Sequence, residues 1–178
     1  MPPVPVPSAP VESFVGVHIE SRPLVFKNEN RVAFDSMVFI DLVLTEAARL
    51  ELLKEWKNDL KCTKFFVSTK VIDETFGVMI NRLGKDPVDV RAAIVKVKET
   101  LDMRELKYDK SVDNKQGFAL FREYQWRFGY VNLDEHINDG RIIAHLQREG
   151  INVVYSREEK VRRLAQIAGM EARDFISF

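Results

Sequence analysis

Asn138-Asp139-Gly140-Arg141-Ile142-Ile143-Ala144-His145-Leu146, followed after Gly150 by Ile151-Asn152-Val153-Val154-Tyr155-Ser156-Arg157-Glu158-Glu159-Lys160, reads as a polar turn, a short helix starting at Asp139, an apolar strand and a second acidic turn. Asp139 precedes Ile142 and Ile143 by three and four residues, so helical spacing sets this acid on the stripe that faces the core. A carboxylate there is costly unless something uses it. Gly150 suits the left-handed residue that closes a helix, and 151–155 has the continuous apolar character of a buried strand with Glu158 just past its end. Two acids at one edge of a helix-strand unit mark a candidate site.

The same alternation extends towards the N-terminus. Met37-Val38-Phe39-Ile40 is an apolar run closed by Asp41 and is expected to be a central parallel strand. Leu44, Ala47, Ala48, Leu52, Trp56 and Leu60 then follow helical spacing. Lys64-Phe65-Phe66-Val67 reads as a second strand, with Ser68 or Thr69 capping a helix whose apolar face is Ile72, Phe76, Met79 and Leu83 and whose first turns carry Glu74. Gly84 ends it. Asp86-Pro87 opens a helix to about Leu101, Glu105 to Tyr108 is a candidate strand, and Phe118 to Phe128 an aromatic-rich helix. Glu159 to Ile167 reads as helix, Gly169 as its stop, and Asp174 to Phe178 as a short strand.

Strands alternating with helices of this length predict a three-layer αβα fold around a mainly parallel sheet. In such folds strand ends and the starts of the following helices share one edge, where ligands bind. The expected division is a Pro-rich arm at 1–12, an extension with hairpin patterning at 13–34, and the α/β domain at 35–178. Five of the seven prolines lie in the first ten residues, a composition that favours extended backbone.

The 178 residues are 46% apolar and 30% charged, with 27 basic and 27 acidic side chains in balance. That suits one domain with one core. It supplies no global positive field, so a nucleic-acid partner would have to meet a local basic patch or bridging cations. The single cysteine, Cys62, excludes an internal disulfide and a cysteine cage for zinc. With no apolar run long enough to span a bilayer and no signal-peptide pattern, the expectation is a cytoplasmic protein that does not engage membranes.

Asp41, Glu74, Asp139 and Glu158 are thus expected at one crevice. Carboxylates brought together raise one another's pKa, and cations relieve that repulsion. An all-oxygen set suits Mg²⁺ or Mn²⁺ better than zinc, and such ions activate water and stabilise a leaving oxygen in phosphodiester hydrolysis. Taken singly, each acid is as readily explained as a solvated helix-start or turn charge, so the inference rests on their joint placement.

The ordered stretches Val38-Phe39-Ile40-Asp41, Val67-Ser68-Thr69-Lys70-Val71-Ile72-Asp73-Glu74, Asp139-Gly140-Arg141-Ile142-Ile143-Ala144 and Val153-Val154-Tyr155-Ser156-Arg157-Glu158 resemble the acidic motifs of PIN-domain ribonucleases, the fold of VapC-type toxins. The resemblance covers about 35–169. It implies a metal-dependent endoribonuclease acting on single-stranded or structured RNA, commonly a homodimer and, in toxin-antitoxin pairs, partnered by an antitoxin-like protein. It also implies that Asp41, Glu74, Asp139 and Glu158 hold the metal and that the Ser156 hydroxyl supports them. Two features depart from the family's pattern. Leu42-Val43 follow Asp41 where Thr or Ser and then Asn are usual, and Glu158 replaces an aspartate. A catalytically silent RNA-binding or protein-interaction module is the second reading.

Arg157, Lys160, Arg162 and Arg163 are candidate RNA contacts, or equally a solvated helix face. Phe118, Phe121, Tyr124, Trp126 and Phe128 have a spacing that favours core or a dimer interface over base stacking. His136 reads as a surface histidine. The chain carries no Gly-rich phosphate loop, no Gly-x-Ser-x-Gly elbow and no His-Glu-x-x-His pair, which removes the mechanical parts of nucleotide hydrolases, serine hydrolases and zinc proteases.

Overall fold

The computed structural model describes residues 30–45, 62–130 and 132–175. The expected arm, the expected hairpin, most of the helix expected over 44–60, and 176–178 lie outside these residues. Five parallel strands form one sheet in the order β3-β2-β1-β4-β5. They are β1 (Asn30–Phe34), β2 (Cys62–Ser68), β3 (Arg104–Leu106), β4 (Val153–Ser156) and β5 (Glu171–Asp174). The described helices are α1 (Ser36–Leu44), α2 (Thr69–Asn81), α3 (Pro87–Thr100), α4 (Lys110–Phe128), α5 (Leu133–Arg148) and α6 (Glu159–Ile167). Helices α1, α2 and α3 contact one another, as do α4, α5 and α6. This gives the three-layer αβα architecture that the alternation predicts.

The central strand is not the expected one. Met37–Ile40 lies in α1, and the strand is Asn30–Phe34, which pairs with β2 on one side and β4 on the other. A domain boundary at 35 would therefore cut the middle strand off its sheet. The run 37–40 misleads because α1 buries Val38, Phe39, Ile40, Leu42 and Val43 against α2, α3 and β4. A short helix buried nearly all round shows no period that would distinguish it from a buried strand. Its start is marked instead by Asp35, whose Oδ1 accepts from the Val38 backbone N–H at 2.8 Å, an N-cap bond that satisfies one of the helix's free donors.

Three other boundaries shift. Asp139 does not open its helix; α5 begins at Leu133, so the acid lies almost two turns in. The last strand, β5, is Glu171–Asp174 and shares only Asp174 with the strand expected at 174–178, and the aromatic-rich helix α4 starts at Lys110. Elsewhere the turn chemistry behaves as expected. Ser68 caps α2 by accepting from Lys70 N–H at 3.2 Å, Asp86 caps α3 ahead of Pro87, and Gly150 closes α5 with φ +72°.

Phe34 anchors the core, its ring centroid 5.3 Å from Phe65, 6.0 Å from Tyr155 and 6.1 Å from Phe175. These contacts join β1, β2, β4 and the segment after β5. On the opposite layer α4 and α5 meet backbone to backbone. A Cβ on Gly117 would stand 2.5 Å from the Arg141 Cα, and one on Gly140 would stand 2.8 Å from the Gly117 carbonyl oxygen. Only glycine allows this approach, and it fixes the position of α5, and with it Asp139, relative to α4.

Candidate acidic site at the sheet edge

From β1 the chain proceeds outward through β2 to β3, then returns to β4 and proceeds the other way to β5. The switch point therefore falls between β1 and β4, the position at which open α/β sheets leave a crevice beyond their strand ends. A crevice is found there, lined by Asp35, Ser36 and Met37 after β1, by Asp139 and Ile142 of α5, and by Glu158 and Val161 at the start of α6. Each acid arrives from a different element, and the Asp35 N–H extends the β1–β4 pairing by donating to the Tyr155 carbonyl at 3.1 Å.

Asp35 is the acid that ends the central strand, and it was not among the sequence candidates. Only 4% of its surface is exposed. Burial pushes its carboxyl up to about 6, opposed by hydrogen bonds from the Ser156 hydroxyl and the Val38 N–H and reinforced by the negative charges of Glu158 and Asp139. Burial likewise raises Asp139, against the pull of Lys160. The sequence signal for Asp35 was available: Val32-Ala33-Phe34 is an apolar run closed by an acid and then Ser36, directly before a helical segment.

Glu74 joins through Ser36, whose hydroxyl donates to Glu74 Oε2 at 2.6 Å, while Lys70 Nζ lies 3.3 Å from Oε1. Ser156 accepts the Glu158 backbone N–H at 3.0 Å, which sets the turn that carries Glu158. Asp41 stands apart from these four. It lies on α1 and pairs with Arg157 at 2.9 Å, tying α1 to the turn next to Glu158. The crevice lining includes neither Asp41 nor Glu74, but Glu74 is bonded to the lining residue Ser36.

The expected RNA-contacting cations all have internal partners. Arg157 holds Asp41, Arg162 donates to the Ser156 carbonyl at 2.9 Å and lies 3.1 Å from Asp174, and Arg163 pairs with Glu159 and lies over the Phe128 ring. Lys160 reaches two acids of the crevice lining, 2.8 Å from Asp139 and 3.7 Å from Glu158. His136 is brought to the same place, beside Lys160 and 3.8 Å from Asp139. Of the aromatics, Phe121 and Tyr124 are core, whereas Phe118, Phe128 and above all Trp126 are exposed.

The donors Asp35, Glu74, Asp139 and Glu158 are all carboxylates, which suits a hard divalent cation in kind. The raised Asp35 carboxyl, hemmed in by two further acids, is what such a charge would relieve. Among the described residues no three metal-binding side chains are already gathered around a common point, and Asp139 is engaged by Lys160. No described helix is long and apolar enough to cross a membrane. Comparison with protein-family models and with curated proteins finds no match to this chain.

Proposed function

We propose that the protein is a PIN-like, Mg²⁺- or Mn²⁺-dependent endoribonuclease with Asp35, Glu74, Asp139 and Glu158 as its acidic set. The observation that supports this most is the buried Asp35 at the end of the central strand, facing Asp139 and Glu158 across the switch point. Asp35 takes the place expected for Asp41. It is followed by Ser36, the hydroxyl residue found missing after Asp41, and Ser36 orients Glu74.

A divalent ion, when bound, would polarise the phosphodiester and make a water nucleophilic. The chain's own residues prepare the site. Ser36 and Lys70 fix Glu74, Ser156 fixes the Glu158 turn and bonds Asp35, and the Asp41–Arg157 pair braces that turn from outside. A carboxylate whose orientation is held by such bonds needs no rearrangement to act.

The test is labelled RNA incubated with and without Mn²⁺, beside Asp139→Asn. Cutting that requires Mn²⁺ and falls by about 10²-fold or more in the variant is expected, the scale typical of removing one electrostatic group from a site. Cutting without metal, or undiminished by the substitution, contradicts the proposal. The second reading, an RNA-binding module without catalysis, draws on the engagement of Asp139 by Lys160; it is the conclusion to adopt if RNA binds and is not cut.

A further inference from the structure

Three carboxylates, Asp35, Asp139 and Glu158, line the crevice, and Glu74 joins it through Ser36. Lys70 lies against Glu74, and Lys160 lies 2.8 Å from Asp139 and 3.7 Å from Glu158. The two lysines are not equivalent. Lys70 approaches Glu74 from its own helix at i and i+4, while Lys160 reaches from α6 to an acid on α5 and also covers the acid on the turn before it. Its side chain is only 14% exposed, so its charge is poorly screened by solvent. Lys160 Nζ therefore sits where a cation bridging Asp139 and Glu158 would have to sit.

We propose that Lys160 is the resident cation of this crevice, and that because of it the site takes up one divalent ion, not two. The inference rests on the metal-dependent reading given above. The three lining carboxylates against the Lys160 ammonium leave two negative charges, which a single dication balances, Glu74 being balanced by Lys70. A second dication would reverse the sign of the crevice and would have to displace a tethered ammonium that is already in contact with both acids. Two cations a few ångströms apart in a partly buried site repel strongly, and the tether spares Lys160 the entropy that a free ion loses on binding. Asp35, whose carboxyl feels the negative charges of Glu158 and Asp139, would hold that ion. Lys160 then keeps Asp139 and Glu158 from repelling each other when no ion is bound.

The experiment is titration of the purified full chain with MnCl₂ at pH 7.5, following loss of the free Mn²⁺ electron paramagnetic resonance signal, for wild type, Lys160→Met and Lys160→Arg. Expected are one ion per chain in wild type and Lys160→Arg, and two in Lys160→Met, with the first binding about tenfold tighter once the competing charge is gone. Two ions in wild type, or a Lys160→Met stoichiometry and affinity equal to wild type, overturns the role of Lys160 while leaving the metal site itself standing. No bound Mn²⁺ in any of the three proteins overturns the metal reading and this inference with it. Should Lys160→Met not fold, Lys160→Gln replaces it, and the wild-type stoichiometry remains decisive: one ion supports the inference and two overturn it.

Discussion

Asp35→Asn is expected to make the protein more stable near neutral pH while removing the proposed ribonuclease activity. Folding raises the Asp35 carboxyl from 3.8 to about 6, with burial as the largest cause. The folded chain therefore binds this proton more tightly than the unfolded chain does. Below pH 3.8 both states hold the proton and the group is neutral in its effect. As pH rises through the interval to about 6, stability is lost, and above it the full penalty stands, about 3 kcal/mol for a shift of this size. Asparagine carries no titrating charge and caps a helix as well as aspartate does, so the bond to Val38 survives. The variant should melt about 6–12 °C above wild type at pH 7.5 in metal-free buffer, with the gain fading towards pH 4. Thermal scans at the two pH values check this. No gain at pH 7.5, or an equal gain at pH 4, would show that the carboxylate is not held there at a cost.

The second large effect lies away from the crevice. Asp113 is fully buried on α4, and Arg148 of α5 grips it with Nε at 2.8 Å and Nη2 at 3.2 Å. His145 Nδ1 stands 3.0 Å away, and the Asp109 backbone N–H donates to Oδ2 at 2.7 Å. Burial holds the His145 imidazole below its usual range, with the Asp113 charge opposing, so the acid and the arginine carry the charges of this network at neutral pH. Asp113→Ala removes the acceptor from the Arg148 guanidinium and the Asp109 N–H at once and leaves a cavity in the α4–α5 seam. Losing one partner of a buried charge network costs about 3–5 kcal/mol, and the urea midpoint should fall accordingly. A loss below about 1 kcal/mol would place the network among solvent-screened surface pairs.

These two acids show what a single sequence reveals and what it conceals. The layer architecture was legible because strand and helix periods alternate and because Ser68, Asp86-Pro87 and Gly150 punctuate them with the expected turn chemistry. Asp139 and Glu158 were legible because each stands beside an apolar run whose burial is plain, although Asn138-Asp139 imitates a helix start that lies at Leu133. Asp35 was missed for one reason: α1 is buried on so many sides that its apolar run passed for the central strand, moving the strand end by six residues to Asp41. That shift also produced the apparent break in the first acidic motif. Asp113 gave no signal at all. Lys110-Ser111-Val112-Asp113 looks like a solvated helix start, and the partners that bury it come 32 and 35 residues later. The engagement of Lys160 is equally invisible, since a basic residue in the first turn of α6 looks the same in sequence whether it faces solvent or a crevice.

The most direct measurement sets the two candidate first acids against each other: Mn²⁺-dependent cutting of labelled RNA by Asp35→Asn and Asp41→Asn under identical conditions. The expected result is loss of about 10²-fold or more for Asp35→Asn and a decrease of no more than about tenfold for Asp41→Asn, whose role is to hold Arg157. Full activity in Asp35→Asn, with abolition in Asp41→Asn, would contradict the assignment of the acidic crevice between β1 and β4 as the active site.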